Sequence, residues 1–317
     1  MQDRLSNSLP STTVMLIDIR QRLEYGLLLV LAALIRAMPL SMATAVSAAA
    51  WRFIAPKTRR HRRAMKNLEK AMPEKTHAER EAIALAMWDN LGRVMAETFL
   101  VDRLLKDPSL IEVENPELIE RYRDKVGACI FASLHMSNWE ICILPTLALN
   151  PNMAGVYRIV ENPYVDRYIR NKRSLVWPAG LFASKSDEGK ATTMRIMAHV
   201  RGGGSIGLLS DLLDWKGVRV PFFGTTVYAT TAPAWLARRT GARLWVGRCI
   251  RVGKSSRFKF TVQELEAPRT GKPAEDIREW TEAIFKVFES WIREHPEQWM
   301  WSNKRWPDSE MPGGTQY

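Results

Sequence analysis

The sequence predicts an α/β fold: a largely parallel central sheet flanked by helices, preceded by an N-terminal helical membrane-associating segment. Three observations predict it. From about residue 127, short apolar runs alternate with stretches of helical period, the order that builds a parallel sheet with crossover helices. Residues 76–99 repeat apolar side chains at helical spacing. Ahead of both stands GLLLVLAALI at 26–35, then, after Arg36, AMPLSMATAVSAAAW with no further charge.

The run 26–35 is too short for a bilayer core, which needs roughly 20 apolar residues. Read as 26–50, it would carry Arg36 into the hydrocarbon and Pro39 into the helix interior. Asp18 and Glu24 precede it, which fits a signal peptide poorly. The expectation is a monotopic anchor: an apolar helix, a bend at Pro39 and a second helix in the interface. A helical hairpin buried in a soluble body is the competing arrangement. PKTRRHRRAMK at 56–66 follows directly. Beside an apolar anchor, such a cluster reads as contact with anionic headgroups rather than as a solvated face or a nucleic-acid patch. The expected division is 1–66 for anchor and basic segment, and 67–317 for the α/β domain.

The elements follow in order. Thr76 and Glu79 form a capping box, and Ile83, Met87, Leu91, Val94, Met95 and Phe99 share one helical face. Residues 127–134 read as a strand, Asn138 to about Leu147 as a helix, and 154–160 as a strand. A helix from Pro163 to Leu175 has proline in its first turn. A helix at 189–201 precedes a strand at 205–210, and the helix Thr231–Thr240 is stopped by Gly241. Strands at 243–250 and 257–263 lead to a long helix with Ile277, Trp280, Ile284, Phe288 and Trp291 on one face, ending before Pro296. Ligands of such sheets gather at the carboxyl ends of strands. His135, Arg158 and Asp211 all fall there.

The 317 residues are 46% hydrophobic and 25% charged, which excludes collagen and disorder. A net charge of +12 favours anionic partners. Cys129, Cys142 and Cys249 sit in apolar surroundings and read as reduced, packed thiols. No metal-ligand spacing occurs, and neither metal nor cofactor is expected. The twelve tryptophans thicken toward Trp299, Trp301 and Trp306, as interfacial rings or as core. RGGGSIG at 201–207 spells both GxSxG and GxGxxG, but those motifs need a strand before and a helix after. Here the order is reversed, so the glycines read as a helix stop and a tight turn.

The stretch SLHMSNWE at 133–140 carries the chemistry. Five residues of helix turn through about 140°, so His135 and Glu140 on one helix would not face each other. The better arrangement leaves His135 in the loop and puts Glu140 in the first turn of the next helix. A carboxylate at one ring nitrogen then fixes the tautomer while the other faces substrate, as a general base requires. The competing reading is structural: Ser137-x-x-Glu140 is also a capping box, and His135 a satisfied strand-end histidine.

HMSNWE is an H-x4-D/E motif and resembles that of glycerolipid-type and lipid A-type acyltransferases. YRIVENPYVD (157–166), GLLSDLLDWKGVRVPFFGTTVYATTAPAWLARRTGA (207–242) and HPEQWMWSNKRW (295–306) resemble further blocks of the bacterial lipid A late acyltransferases, in order and at family spacing. LWVGRC departs from the family, which usually has a proline there. The resemblance implies direct acyl transfer from an acyl carrier protein thioester to a hydroxyl of a Kdo-bearing lipid A precursor. It implies His135 as base, Glu140 as its orienter and Arg158 on a phosphate. Asp211 would position the sugar hydroxyl or a second basic residue, or merely cap a strand. Phe222, Phe223 and Gly224 would wall an acyl tunnel. Anionic inner-membrane lipids and the cytoplasmic face of the bacterial inner membrane are implied as surroundings, without nucleic acid. An acyltransferase for another glycolipid or phospholipid (a phosphatidylinositol mannoside or ornithine lipid) is the same-class alternative. A basic nucleic-acid-binding protein is the alternative of another class.

Overall fold

Strand CIFAS at 129–133 is buried at every position, because it lies in the middle of a sheet covered on both faces. The computed structural model describes residues 12–121, 127–148, 150–184, 189–268 and 270–306. Helices α1 (Thr12–Ala37), α2 (Leu40–Ile54), α3 (Arg59–Ala71), α4 (His77–Phe99) and the single-turn α5 (Val101–Leu104) come first. Then follow β1 (Ile111–Val113), α6 (Pro116–Arg121), β2 (Cys129–Ser133), β3 (Met153–Arg158), α7 (Pro163–Arg173), β4 (Leu181–Ser184) and α8 (Gly189–Arg201). The chain continues through β5 (Ser205–Leu209), β6 (Leu213–Phe222), β7 (Thr225–Ala229), α9 (Ala232–Thr240), β8 (Arg243–Arg251), β9 (Phe258–Leu265) and α10 (Pro273–Glu294).

The main sheet has the order β1-β9-β8-β2-β5-β3-β4. Its pairs are parallel apart from β8 with β9. β6 and β7 form a separate antiparallel hairpin. The alternation of a strand splits the core in two. Ile130 and Ala132 pack with Trp88 of α4, Ala234 of α9 and Ile284 of α10. Cys129 and Phe131 face the other way, toward Ile141, Ile143 and Phe260. Gly155 and Gly207 are register partners on β3 and β5, and Trp177 lies across both. A Cβ would stand 2.8 Å from the indole at Gly155 and 2.4 Å at Gly207.

Most expected elements form. Thr76 caps α4 in a capping box with Glu79, and Gly241 ends α9 at φ 74°. Gly203 takes φ 89° in the turn from α8 to β5. Trp280, Trp291, Trp299, Trp301 and Trp306 are all buried, so the C-terminal tryptophans are core. The helix expected from Asn138 to Leu147 does not form. That segment runs as turns with a short 3-10 stretch, Leu144–Ala148. Pro145 supplies no N–H for a helical bond, and Ser137 holds φ 48°, outside the helical region.

At the N-terminus the chain bends at Pro39, the N-cap of α2. α2 buries Ala43, Thr44 and Ala48. Gly92 of α4 makes the approach possible, since a Cβ there would lie 2.6 Å from the Ala48 Cα and 2.6 Å from the Ser47 carbonyl oxygen. α1, by contrast, leaves Leu23, Leu27, Val30 and Leu34 exposed, so it is not part of a buried hairpin. Polar ties hold its two ends. Tyr164 donates to Asp18 at 2.7 Å and Asn162 to Glu24 at 3.0 Å, while Arg36 reaches Asp102 at 2.6 Å. Among the described residues no helix is long and apolar enough to cross a membrane. α3 buries Ala64 and Leu68 and exposes Arg59, Arg62 and Lys66.

The Gly92 contact is testable. Alanine gains about 1 kcal/mol of helix propensity over glycine, but overpacking against backbone costs about 1–3 kcal/mol. Gly92→Ala is expected to lower the thermal midpoint; an equal or higher midpoint would contradict this packing.

Candidate active site

β2 delivers Leu134 into the core and His135 out of it. The loop that follows is fixed by the chain after α10. Met300 N–H donates to the His135 carbonyl at 2.9 Å, and Ser137 N–H to the Gln298 carbonyl at 2.8 Å. Between them Met136 bridges Trp299. β5 runs alongside β2, with Leu209 opposite Ser133, so Asp211 arrives level with His135. Its carboxylate takes three hydrogen bonds: His135 N–H at 2.9 Å, the His135 Nδ1 at 2.7 Å and Trp299 Nε1–H at 2.8 Å. Asp211 is buried. Burial pushes its carboxyl up, but the His135 charge and the hydrogen bonds from His135 and Trp299 outweigh this and hold it below its ordinary value.

A cation stands nearby. Arg305 is 1% exposed, donates to the Tyr228 carbonyl at 3.0 Å and lies over the rings of Phe222 and Phe285. Its Nε and Nη1 have no hydrogen-bond partner among the described residues; the two ring faces stand in for one. Burial pushes its guanidinium down to about 10 while the Asp211 charge works the other way. Arg305 therefore remains a cation at neutral pH.

Glu140 is held differently from expectation. Its carboxylate is clasped side-on by Arg173, the last residue of α7, at 2.8 Å and 2.5 Å. Burial works against the Arg173 charge, and the Glu140 carboxylate more than offsets it. Glu140 also accepts from Trp139 Nε1 at 3.2 Å, and Trp139 stands edge-on to the His135 ring at 5.3 Å. Glu140 thus meets His135 through Trp139, and the direct carboxylate partner of the ring is Asp211. The Ser137-x-x-Glu140 capping box is absent. Asn138 Oδ1 takes the Glu140 N–H at 3.1 Å, and the Ser137 hydroxyl has no partner among the described residues.

The remaining expected residues are spread more widely. Arg158 ends β3 and is exposed. Phe222, Phe223 and Gly224 form the β6–β7 turn, with Phe223 at φ 49° and Gly224 at φ 69°. The two phenylalanines are buried against Trp299, Trp301 and Trp306, where they support the indole that holds Asp211. The sequence reading missed Arg173 and Trp299. Arg173 closes a helix beside the site, a position charge counting alone does not single out. Trp299 belongs to the aromatic C-terminal cluster, but nothing local assigns it a partner.

Among the described residues no activated nucleophile accompanies the histidine. Ser205 of the RGGGSIG stretch is buried, and its hydroxyl accepts the Cys129 N–H and the Asn150 amide. Burial pushes the Cys129 thiol up to about 11 and the Cys249 thiol well above its ordinary value. A histidine held by a buried carboxylate thus stands at the carboxyl end of a central parallel strand, where ligands of such sheets gather.

The sequence relationships carry this further. Residues 18–308 match the bacterial lipid A biosynthesis acyltransferase family, and the chain belongs to that family: it is an acyltransferase of lipid A biosynthesis. It is similar to the lipid A biosynthesis lauroyltransferase of Escherichia coli (strain K12), at 27% identity over 250 residues, covering 76% of each chain. An enzyme thereby replaces the nucleic-acid-binding protein that charge alone admitted.

The Asp211 cluster makes a pH prediction. An unfolded aspartate titrates near about 3.9, and the folded one lower. Its stabilisation is present above about pH 4 and is lost as pH falls through the depressed folded value. Asp211→Asn should therefore narrow its stability deficit against the parent protein as pH falls from 7 toward 3, in denaturant midpoints. Parallel curves would contradict the assignment.

Proposed function

We propose that the enzyme moves a fatty acyl chain from an acyl carrier protein thioester to a hydroxyl of a Kdo-bearing lipid A precursor. The single observation that carries this reading is the His135–Asp211 contact at 2.7 Å. With Nδ1–H donated to a buried carboxylate, Nε2 is the unprotonated nitrogen and can accept a proton. The His135 side chain is 17% accessible, enough to meet a substrate hydroxyl. Nε2 removes the hydroxyl proton as the oxygen attacks the thioester carbonyl. The ester C–O bond forms, the C–S bond breaks, and the proton passes from the imidazolium to the departing thiolate. Asp211 stabilises the imidazolium between these steps. Attack is direct, so the absence of an activated serine or cysteine among the described residues fits the chemistry.

Glu140 and Arg173 then hold Trp139 and the far wall of the site. Arg158, exposed at the end of β3, would pair a phosphate of the donor or acceptor. The location is the cytoplasmic face of the bacterial inner membrane. The exposed leucines and valine of α1 would sit among acyl chains, and the exposed arginines of α3 would meet anionic headgroups or the acidic carrier.

Purified enzyme given acyl carrier protein donors and a tetra-acylated Kdo-bearing precursor should form the penta-acylated product. His135→Ala and Asp211→Asn should each lower turnover at least about 10²-fold, the scale of a lost general base, with unfolding still cooperative. Glu140→Ala should do the same through loss of Trp139 and Arg173 placement. Near-parental turnover of His135→Ala would remove the base assignment. Unchanged lipid A in a deletion strain, by mass spectrometry, would point to another membrane lipid as acceptor.

A further inference from the structure

α3 carries two basic faces. Arg59, Arg62 and Lys66 are exposed on one. One residue later at each step, Arg60, Arg63 and Asn67 meet the chain beyond α10. Asn67 donates to the carbonyls of Trp301 and Asn303 at 2.7 Å and 3.0 Å, which ties that segment to the helix. Arg63 donates to the Ser302 carbonyl at 3.2 Å, and Arg60 to the Ser302 hydroxyl at 3.4 Å. Both guanidiniums thus converge on one uncharged residue, and among the described residues neither has a carboxylate partner. Burial and the Arg63 charge both push the Arg60 guanidinium below its ordinary value. The first turn of α3 holds no acidic residue, and the positive end of the helix adds to the repulsion. The segment so held leads to the histidine. Met300 N–H donates to the His135 carbonyl and Trp299 to Asp211. Leu213 N–H, just beyond Asp211, donates to the Lys304 carbonyl at 3.3 Å, and Leu212 between them is exposed.

We infer that Arg60 and Arg63 together bind a phosphate monoester of the acceptor. The inference rests on the acyltransferase reading above and adds a site for the acceptor's charged group. Two cations without a counter-charge match a dianion, and a guanidinium pairs phosphate oxygens through parallel hydrogen bonds. The pantetheine arm of an acyl carrier protein is joined through a phosphodiester, which carries one negative charge and leaves one guanidinium unmatched. Arg60 is exposed and Arg63 half-buried, so an anion reaches the pair from solvent. Leu212 offers apolar surface on the adjoining stretch, as an amphiphilic acceptor requires. The face that carries Arg59, Arg62 and Lys66 has no such tie to the histidine, and a general attraction to an anionic surface needs no convergence on Ser302.

The test compares a phosphorylated acceptor with the same acceptor after phosphatase treatment. Both are presented in neutral detergent micelles, so that no anionic lipid surface contributes. Arg60→Met and Arg63→Met should each raise the KM for the phosphorylated acceptor about tenfold or more, the scale of a lost hydrogen bond to a charged group. Their kcat and donor KM should stay near parental. Dephosphorylation should raise the parent enzyme's KM by a similar factor, and the variants should then lose nothing further. Lys286→Met, which removes an exposed charge from α10, should leave both KM values unchanged. Equal losses on the two acceptors, or the same loss in Lys286→Met, would overturn the inference. A rise in donor KM instead would give the pair to the donor's phosphodiester and also overturn it. An unchanged parental KM after dephosphorylation would overturn it without any variant, so the inference stays testable if a methionine variant fails to fold. Failure of the parent enzyme with every acceptor would count against the acyltransferase reading itself, a separate result.

Discussion

The carboxylate of Asp211 is the constraint on which the rest of the site depends. A buried charge is costly unless its lone pairs are met. Here the donors come from two distant parts of the chain. The His135 backbone and ring come from the end of β2, and the indole of Trp299 from beyond α10, with the Arg305 charge a few residues further on. Leaving such a charge without one of its donors costs at least about 1–3 kcal/mol. The C-terminal segment is thus held in place by the same charge that sets the histidine. The aromatic cluster of Phe222, Phe223, Trp301 and Trp306 wedges Trp299 from behind. The β6–β7 hairpin consequently contributes to the site without touching the histidine.

A second buried pair supports the loop from the other side. Arg251, at the end of β8, and Glu97 of α4 meet in a two-pronged contact at 2.5 Å and 2.8 Å, both side chains buried. Asn138 donates to Glu97 at 2.8 Å, and Asn90 accepts from Arg251 at 2.9 Å. Gln298 bonds the Arg251 backbone in both directions. The loop 135–140 is therefore clamped between a network on α4 and β8 and the strand-like segment at 298–300. This explains the left-handed Ser137: the loop takes its shape from tertiary contacts and not from local preference.

Much of this was legible in the sequence. β2, β3, β5, β8 and β9 announce themselves as short apolar runs, and α4 by its cap and period. β1 and β4, at 3 and 4 residues, are too short to show a period, and β6 hides behind the polar stretch DWKGVR. His135 and Asp211 were both placed at strand ends. Their pairing required knowing that β2 and β5 are neighbours, which chain order does not state. Glu140 was assigned to the ring by proximity in sequence. Arg173, 33 residues on, draws it away, and no local signal marks that competition. The expected helix at 138–147 failed at Pro145 and at contacts with residues 298–300, the first readable locally and the second not.

The account reduces to one proton position. If Asp211 holds Nδ1–H, Nε2 of the neutral His135 ring carries a free lone pair and can act as base. Nitrogen-15 NMR of histidine-labelled enzyme, with His135 assigned by its loss in His135→Ala, measures this directly. The account predicts a protonated Nδ1 and an unprotonated Nε2 in the neutral ring, with that preference lost in Asp211→Asn and kept in a Glu140→Gln variant. A ring protonated at Nε2 in the parent enzyme, or a tautomer that follows Glu140 rather than Asp211, would contradict it.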